Sequence, residues 1–312
     1  MGNRNFREML EAQWSRGNFV CVGLDSDLEK IPEVHKKGQD TESALCAFNF
    51  GIIDRTADVA GFYKPNSAFY EEHGGAGRVA LRRTFEYVHR IAPEAVAIWD
   101  AKRADIGNTN NGYARTAFDK LGADAITVHP YLGGEALKPF LDRADKGVFV
   151  LCRTSNPESD EFQMLPVLVK EKELCDLLDG KDFRETSVAC GWIHLSHNDL
   201  IVPMYQYVAM RVARHWNKNG NCALVVGATY PKELYIVREL VGDMPILIPS
   251  VGFQQKDVPL ETQVEQVVAY GQDSRGKGMI INSSRGIIFS DDPRRETQKL
   301  HNLVNRYRKG AA

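Results

Sequence analysis

The stretch Ala95-Val96-Ala97-Ile98-Trp99-Asp100-Ala101-Lys102-Arg103-Ala104-Asp105 joins a short apolar run to a cluster of charged residues. The apolar part predicts a buried strand, and the charges begin where that strand ends. Because side chains alternate faces along a strand, Asp100 and Lys102 are expected to point the same way, with Asp105 beyond the strand end. Such a cluster is costly to desolvate unless each charge has a partner, so it predicts either a surface ion-pair loop or an active site.

Similar apolar runs recur along the chain, and helix-like segments separate them. The predicted strands are residues 19–25, 61–65, 96–100, 125–130, 147–153, 223–227, 245–249 and 278–282. Helical spacing of apolar residues is clearest in residues 41–48, 78–91, 114–121, 204–216 and 264–270. Continuous rather than alternating apolarity is typical of parallel strands that are covered on both faces. The pattern therefore predicts an α/β protein with a (β/α)8 TIM barrel, and a doubly wound open sheet is the alternative.

The domain organisation follows from what separates these segments. No linker rich in Pro, Gly or Ser divides the chain, so a single domain over residues 1–312 is predicted. The connection at about residues 155–221 is longer than a barrel crossover needs, and it is expected to hold extra elements or a long active-site loop. His194, His197 and Asp199 resemble metal-ligand spacing there, but such residues in a polar loop are more often solvated, and no metal site is predicted.

The composition excludes several classes of protein. A hydrophobic content of 43% and a charged content of 26% are typical of soluble globular proteins. A net charge of −2 gives no sign of a nucleic-acid partner, which usually needs a basic surface. No apolar run approaches the length of a membrane span, and the N-terminus has no apolar signal-peptide core, so a cytoplasmic protein is predicted.

Polar residues at the carboxyl ends of the predicted strands are the candidates for chemistry, because barrel active sites lie there. These residues are Asp25, Lys64, Asp100, Lys102, His129, Ser155, Gln254 and Arg285. Lys64 follows apolar residues within its strand, so it is expected to point inward and to pair with Asp100 or Asp25. Arg285 follows the last strand in a turn of small residues, which suits a phosphate, although it could also simply cap that loop.

Several of these segments together resemble the orotidine 5′-phosphate decarboxylase family, in its bacterial branch. The resemblance is carried by Val22-Gly23-Leu24-Asp25, Phe62-Tyr63-Lys64-Pro65-Asn66, Asp100-Ala101-Lys102-Arg103-Ala104-Asp105-Ile106-Gly107-Asn108-Thr109, Thr127-Val128-His129-Pro130-Tyr131-Leu132-Gly133, Arg153-Thr154-Ser155-Asn156-Pro157, Val225-Val226-Gly227-Ala228-Thr229 and Ser284-Arg285-Gly286. The matches span residues 20–290 in the expected order.

The resemblance implies a homodimeric barrel that converts orotidine 5′-monophosphate to uridine 5′-monophosphate and carbon dioxide, without a metal or other cofactor. It assigns a charged catalytic array to Lys64, Asp100, Lys102 and Asp105, with Lys102 as the proton donor and Asp105 supplied by the partner subunit. It assigns substrate binding to Asp25, Thr109, Ser155, Gln254 and Arg285. Among these, Asp25 and the partner's Thr109 would contact the ribose, Ser155 the pyrimidine, and Gln254 and Arg285 the phosphate.

The chain also departs from the family pattern. Ser250, Phe253 and Gln255 stand where the phosphate loop usually has small residues, and Glu158 stands where glycine is common. Two alternative functions remain open at this point: a magnesium-dependent sugar-phosphate enzyme of the same superfamily, such as a 3-keto-gulonate 6-phosphate decarboxylase or a hexulose phosphate synthase, or a nucleotide-binding protein without activity. The first usually has Glu at the position of Lys64, and the second would be expected to have lost a member of the array.

Overall fold

The computed structural model describes residues 4–195, 199–252 and 258–310. The strands in these ranges are β1 (Val20–Leu24), β2 (Phe62–Pro65), β3 (Val96–Arg103), β4 (Ala125–Val128), β5 (Gly147–Arg153), β6 (Pro166–Lys170), β7 (Ile193–His194), β8 (Asp199–Pro203), β9 (Cys222–Val226), β10 (Ile246–Ile248) and β11 (Met279–Ser283). Eight of them close into a barrel in the order β1-β11-β10-β9-β5-β4-β3-β2, and each neighbouring pair is parallel. The predicted (β/α)8 barrel is therefore confirmed, and the open sheet is wrong.

Helices surround the barrel and account for the amphipathic segments of the sequence. They are α1 (Phe6–Ser15), α2 (Glu33–Lys36), α3 (Thr41–Thr56), α4 (Ala68–Glu71), α5 (Gly74–Ile91), α6 (Gly107–Ala114), α7 (Gly133–Leu141), α8 (Asp160–Gln163), α9 (Glu171–Leu178), α10 (Phe183–Ala189), α11 (Met204–Arg211), α12 (Pro231–Val241), α13 (Leu260–Gly271), α14 (Arg285–Ile288) and α15 (Pro293–Tyr307). Two π-helical segments, Arg115–Lys120 and Val212–Trp216, extend α6 and α11. None of the helices within the described ranges is long and apolar enough to cross a membrane.

The barrel strands are buried along almost their whole length, as their continuous apolar sequences predict. α1 lies across the amino ends of the strands, where Phe6 packs edge-on against Phe149 of β5. On the same helix, Trp14 donates its indole N–H to the carbonyl of Met279 at 2.8 Å. This end of the barrel is therefore closed by a packed helix, which leaves the carboxyl ends of the strands for a ligand.

The helix after β3 begins earlier than the sequence predicts. Helical spacing indicated a start near Ala114, but α6 begins at Gly107 in a segment rich in Gly and Asn. Asn110 stabilises this start, since its side chain accepts a hydrogen bond from the backbone N–H of Asp105 at 3.0 Å and donates to the backbone carbonyl of Ala136. A tertiary contact thus overrides weak local helix propensity.

The long connection between β5 and β9 holds extra elements, as one of the two expectations had it. β6 and β7 both pair antiparallel with β8, which makes a three-stranded sheet separate from the barrel. α8, α9, α10 and α11 belong to the same connection. Cys152 of β5 lies against the last of these helices, with its sulfur 3.2 Å from the carbonyl oxygen of Tyr205.

Candidate active site

The geometry of the site begins with an irregularity in β3. Trp99 pairs with Ile126 of β4 and Arg103 pairs with Val128, so the three residues from Asp100 to Lys102 lie opposite Thr127 alone. Within this bulge Lys102 adopts a left-handed backbone conformation with φ of 48°. Bulges of this kind aim side chains that a regular strand would direct elsewhere. The charges of the opening sequence stretch therefore converge because β3 bulges, and not because of simple strand alternation.

Asp100 is the centre of the charged cluster. One carboxylate oxygen accepts a hydrogen bond from the Lys64 ammonium at 2.7 Å, and the other accepts from the Lys102 ammonium at 2.6 Å. The side chain of Lys64 is 5% exposed, whereas that of Lys102 is 49% exposed. The cluster thus joins a buried ammonium, a buried carboxylate and an ammonium that reaches into the open cavity.

Thr127 holds this cluster together, although it is not among the predicted site residues. Its hydroxyl donates to Asp100 at 2.9 Å and accepts from the backbone N–H of Lys102, also at 2.9 Å. The second bond fixes the left-handed backbone of Lys102. The sequence predicts His129 as the candidate at the end of β4, but Thr127 is the residue of that strand that lines the cavity. The available signals were its position near a strand end and its place in the segment of residues 127–133 that resembles the family.

The cluster shifts the pKa values of its buried members in opposite directions. Burial alone would lower the pKa of Lys64, but the carboxylates of Asp100 and Asp25 outweigh burial and raise it above the usual lysine value. Burial alone would raise the pKa of Asp100, but the two ammonium groups hold it well below the usual carboxyl range. Lys64 and Asp100 are therefore both charged at neutral pH.

The cluster opens into a cavity of about 390 Å³ at the carboxyl ends of the strands. Its lining includes six of the predicted site residues, namely Asp25, Lys64, Asp100, Lys102, Ser155 and Arg285. Polar residues that the prediction missed line it as well: Asn66, Thr127, Thr154, Asn156, Gln163, Ser250, Asn282 and Ser284. A polar cavity of this size suits a small polar molecule.

Asp25 has an unfulfilled hydrogen-bonding position. Its Oδ1 atom is buried, and no group in the described part of the chain bonds to it. The neighbouring Ser26 is fixed by a hydrogen bond of 2.6 Å to Asn49, which in turn bonds to Tyr70 and Thr84. Because buried carboxylate oxygens rarely stay without a hydrogen bond, this atom is suited to accept a hydrogen bond from a hydroxyl group of a ligand.

Two loops meet at the opposite side of the cavity. The hydroxyl of Ser155, after β5, lies 3.0 Å from that of Ser250, after β10. Ser250 has φ of 74° and Glu158 has φ of 62°, so both adopt the left-handed conformation that glycine prefers. Such a backbone explains the small residue that is usual at the position of Ser250 and the glycine that is common at the position of Glu158 in the family pattern. Gln254, with Phe253 and Gln255, lies outside the described residues, so its contact with the phosphate stays a prediction.

Asp105 and Thr109 do not line the cavity of their own chain. A carboxylate oxygen of Asp105 accepts from the backbone N–H of Ile106, and Thr109 is exposed on α6. Exposed apolar side chains lie nearby in sequence on the loops after β3 and β4, at Ile106 and Tyr131, which are 63% and 90% exposed.

Of the three residues with metal-ligand spacing, the two within the described ranges contact other side chains. His194 lies 3.2 Å from the Ser187 hydroxyl, Asp199 pairs with Lys170 at 2.6 Å, and His197 falls outside the described residues. Across the ranges that the structure describes, no group of three or more His, Cys, Asp or Glu could hold a metal ion.

Comparisons with known proteins agree with this geometry. Residues 18–178 match the model of the orotidine 5′-phosphate decarboxylase / HUMPS family. The chain is 40% identical over 310 residues to a protein of Janthinobacterium sp. (strain Marseille) named orotidine 5′-phosphate decarboxylase, covering 97% of this chain and 98% of that one. A protein of the same name from Ralstonia pickettii (strain 12J) is 38% identical over 311 residues, covering 97% and 99%.

The fold comparison points the same way. The structure of Leishmania donovani OMP decarboxylase superimposes with a TM-score of 0.75 at 31% identity, covering 97% of this chain and 98% of that one. Identity at this level over nearly the full length of both chains shows common family membership. The chain therefore belongs to the orotidine 5′-phosphate decarboxylase family.

Proposed function

We propose that this chain decarboxylates orotidine 5′-monophosphate, giving uridine 5′-monophosphate and carbon dioxide. The observation that carries the proposal is the Lys64–Asp100–Lys102 cluster, in which buried Lys64 and Asp100 join the more exposed Lys102 in the lining of a polar cavity. Lys64 also argues against the sugar-phosphate relatives, which usually have Glu at that position. The reaction belongs to pyrimidine biosynthesis, and we propose that the protein acts in the cytoplasm. We also propose that residues 1–312 form a single domain.

In this proposal the cavity orients the substrate through its ribose, its pyrimidine and its phosphate. Asp25 and Lys64 bind ribose hydroxyls, and the buried, unpaired Oδ1 of Asp25 supports that role. Ser155 binds the pyrimidine edge, whereas Arg285 and Gln254 bind the phosphate. Phosphate binding far from the reacting carbon is a use of remote binding energy. The substrate carboxylate then lies beside Asp100, where the repulsion between like charges is relieved when carbon dioxide leaves.

The chemical step breaks the bond between the pyrimidine carbon and its carboxylate, and the electron pair stays on that carbon. No carbonyl is placed to delocalise this pair, so the reaction needs on the order of 20 kcal/mol of transition-state stabilisation. The Lys102 ammonium, fixed by Asp100 at 2.6 Å, stabilises the developing carbanion and then donates its proton to it. The Lys102 amine is reprotonated from water. The chain's own cations carry this chemistry, so we propose no metal or cofactor.

The direct test is the fall in absorbance as orotidine 5′-monophosphate is consumed, measured with and without a metal chelator. We expect equal turnover in both. Absence of turnover by the unmodified protein would refute the proposed function, and loss of turnover in chelator would favour the magnesium-dependent relatives.

We further propose a homodimer in which Asp105 and Thr109 of one subunit complete the site of the other. The position of both residues outside their own cavity supports this arrangement. Mixing Lys102→Ala with Asp105→Ala subunits tests it, because each hybrid dimer would regain one intact site. Random mixing should restore activity in roughly a quarter of the sites. If the mixture stays as inactive as its components, Asp105 does not act across the interface.

A further inference from the structure

The end of β5 carries an arginine whose charge is not used by the proposed reaction. Arg153 is 1% exposed and lies next to the cavity-lining residues Thr154 and Ser155, yet it does not line the cavity itself. Its guanidinium lies 3.6 Å from the centre of the Tyr230 ring. Burial of such a cation is costly unless several partners receive its hydrogen bonds.

Two of the polar partners of Arg153, Ser159 and Asp160, lie on the segment that follows the cavity-lining residues. The guanidinium donates to the Ser159 hydroxyl at 2.6 Å and forms an ion pair with the Asp160 carboxylate. Tyr230, on the loop before α12, holds the other side through its ring. The side chain thus connects the end of β5, the start of the long connection and the loop after β9.

A second set of hydrogen bonds connects this segment to the residues that line the cavity. The amide of Gln163 accepts from the backbone N–H of Thr154 at 2.8 Å and donates to its hydroxyl at 2.7 Å. The same hydroxyl donates to Asn156 at 2.7 Å. Arg153 and Gln163 therefore close both ends of the loop that presents Ser155 and Asn156 to the cavity.

The backbone around Ser155 leaves it little freedom. The N–H of Gly227 donates to the carbonyl of Arg153 at 2.7 Å. A Cβ atom on Gly227 would lie 2.6 Å from that of Ser155, so the two segments are in close contact. A small displacement of this loop would move the Ser155 hydroxyl away from Ser250 and from any ligand in the cavity.

We propose that Arg153 is a positioning residue that sets the substrate-binding loop, residues 154–159, and with it the hydrogen bond from Ser155 to the pyrimidine. An arginine suits this task because its planar group can stack on Tyr230 while it donates to Ser159 and Asp160 in fixed directions. The extra elements after β5 thereby contribute to substrate binding through their first helical turn. The role of Ser155 in this inference rests on the proposed function.

The test is Arg153→Lys, which keeps the charge but cannot stack and donate in both directions. The proposed bond from Ser155 goes to the pyrimidine edge and not to the reacting carbon, so we expect its misplacement to raise KM more than it lowers kcat. We expect KM for orotidine 5′-monophosphate to rise about 3- to 10-fold, as for loss of one hydrogen bond, with kcat within about 2-fold. The Kd of uridine 5′-monophosphate, measured by calorimetry, should rise by the same factor.

Arg238→Lys is the matched control. Arg238 is also buried, at 6% exposure, but it donates to the carbonyls of Gly242, Met244, Gly271 and Gly278, near the amino ends of β10 and β11. This variant should lower the thermal midpoint and leave KM unchanged. Ser159→Ala is a milder second variant that removes one acceptor of Arg153, and it should raise KM in the same direction.

The outcomes separate the two proposals. If the unmodified protein shows no turnover, the proposed function fails. If it turns over and the Arg153 and Ser159 variants lose thermal stability with unchanged KM, Arg153 is only structural and the inference is overturned. A fall in kcat at constant KM would overturn it as well. If Arg153→Lys does not fold, the KM of Ser159→Ala decides.

Discussion

Asp100→Asn should destabilise the fold as well as stop the reaction, because Asp100 neutralises two lysines. The amide keeps the shape of the carboxylate but removes its charge. Lys64, whose side chain is 5% exposed, then stays buried with its main counter-charge lost, which costs about 3–5 kcal/mol for pairs of this kind. Lys102 is 49% exposed, so loss of its pairing adds only about 0–1 kcal/mol. Asp25 still attracts Lys64 electrostatically, so the total loss of unfolding free energy should be about 3 kcal/mol.

The loss of stability in Asp100→Asn should depend on pH. The pKa shifts of Asp100 and Lys64 determine the direction of this dependence. In the unmodified protein the pKa of Asp100 is depressed, so its stabilisation is present above the ordinary carboxyl pKa and disappears as the pH falls through the lower folded-state value. The pKa of Lys64 is raised, so its stabilisation is present below the ordinary lysine pKa and disappears as the pH rises through the folded-state value. Without Asp100, we expect burial to outweigh the remaining charge of Asp25 and to lower the pKa of Lys64, so the variant should gain stability as the pH rises. The difference in unfolding free energy between the two proteins should therefore narrow at alkaline pH.

Urea unfolding at about pH 7 and about pH 10 measures this difference. Asp273→Asn is the control, since Asp273 is 3% exposed and pairs with Arg275 at 2.6 Å away from the cavity. The loss of unfolding free energy in Asp273→Asn should be the same at both pH values, because arginine stays charged throughout. A difference for Asp100→Asn below about 1 kcal/mol at neutral pH, or one that is the same at both pH values, would refute the electrostatic reasoning.

Three further changes test other parts of the site. Lys102→Ala should bind uridine 5′-monophosphate but lose about 100- to 10,000-fold in kcat, because the proton donor is gone; retained turnover would rule out that role. Thr127→Val removes the hydroxyl that bonds to Asp100 and to the Lys102 backbone, and we expect about 1 kcal/mol lower stability in urea unfolding together with lower kcat at similar KM. Unchanged kcat would mean that Lys102 keeps its position without Thr127. Glu158→Gly should raise the unfolding free energy by up to about 1 kcal/mol, since φ at this exposed position is 62°; a decrease would show that the left-handed backbone costs nothing there.

The general architecture could be predicted from the sequence because it rests on local, repeating patterns. All eight apolar runs became barrel strands, since a strand covered on both faces must be apolar throughout. The residue types at the strand ends were sufficient to predict a charged cluster around Asp100 and Lys102, and the order of the motifs indicated the family. Lys64 was expected to pair with Asp100 or Asp25, and the structure places its ammonium 2.7 Å from Asp100.

Only the tertiary structure decided how these residues meet. The bulge opposite Thr127 depends on the register between β3 and β4, which local periodicity does not encode. The order of the loop after β5 depends on Arg153, whose contact with Tyr230 joins residues far apart in sequence. Sequence patterns report which side chains a segment must bury, whereas the directions of side chains at strand ends are set by partners on other strands and loops. For this reason the sequence determined the barrel and the kinds of groups at its mouth, and the packing between strands determined the site.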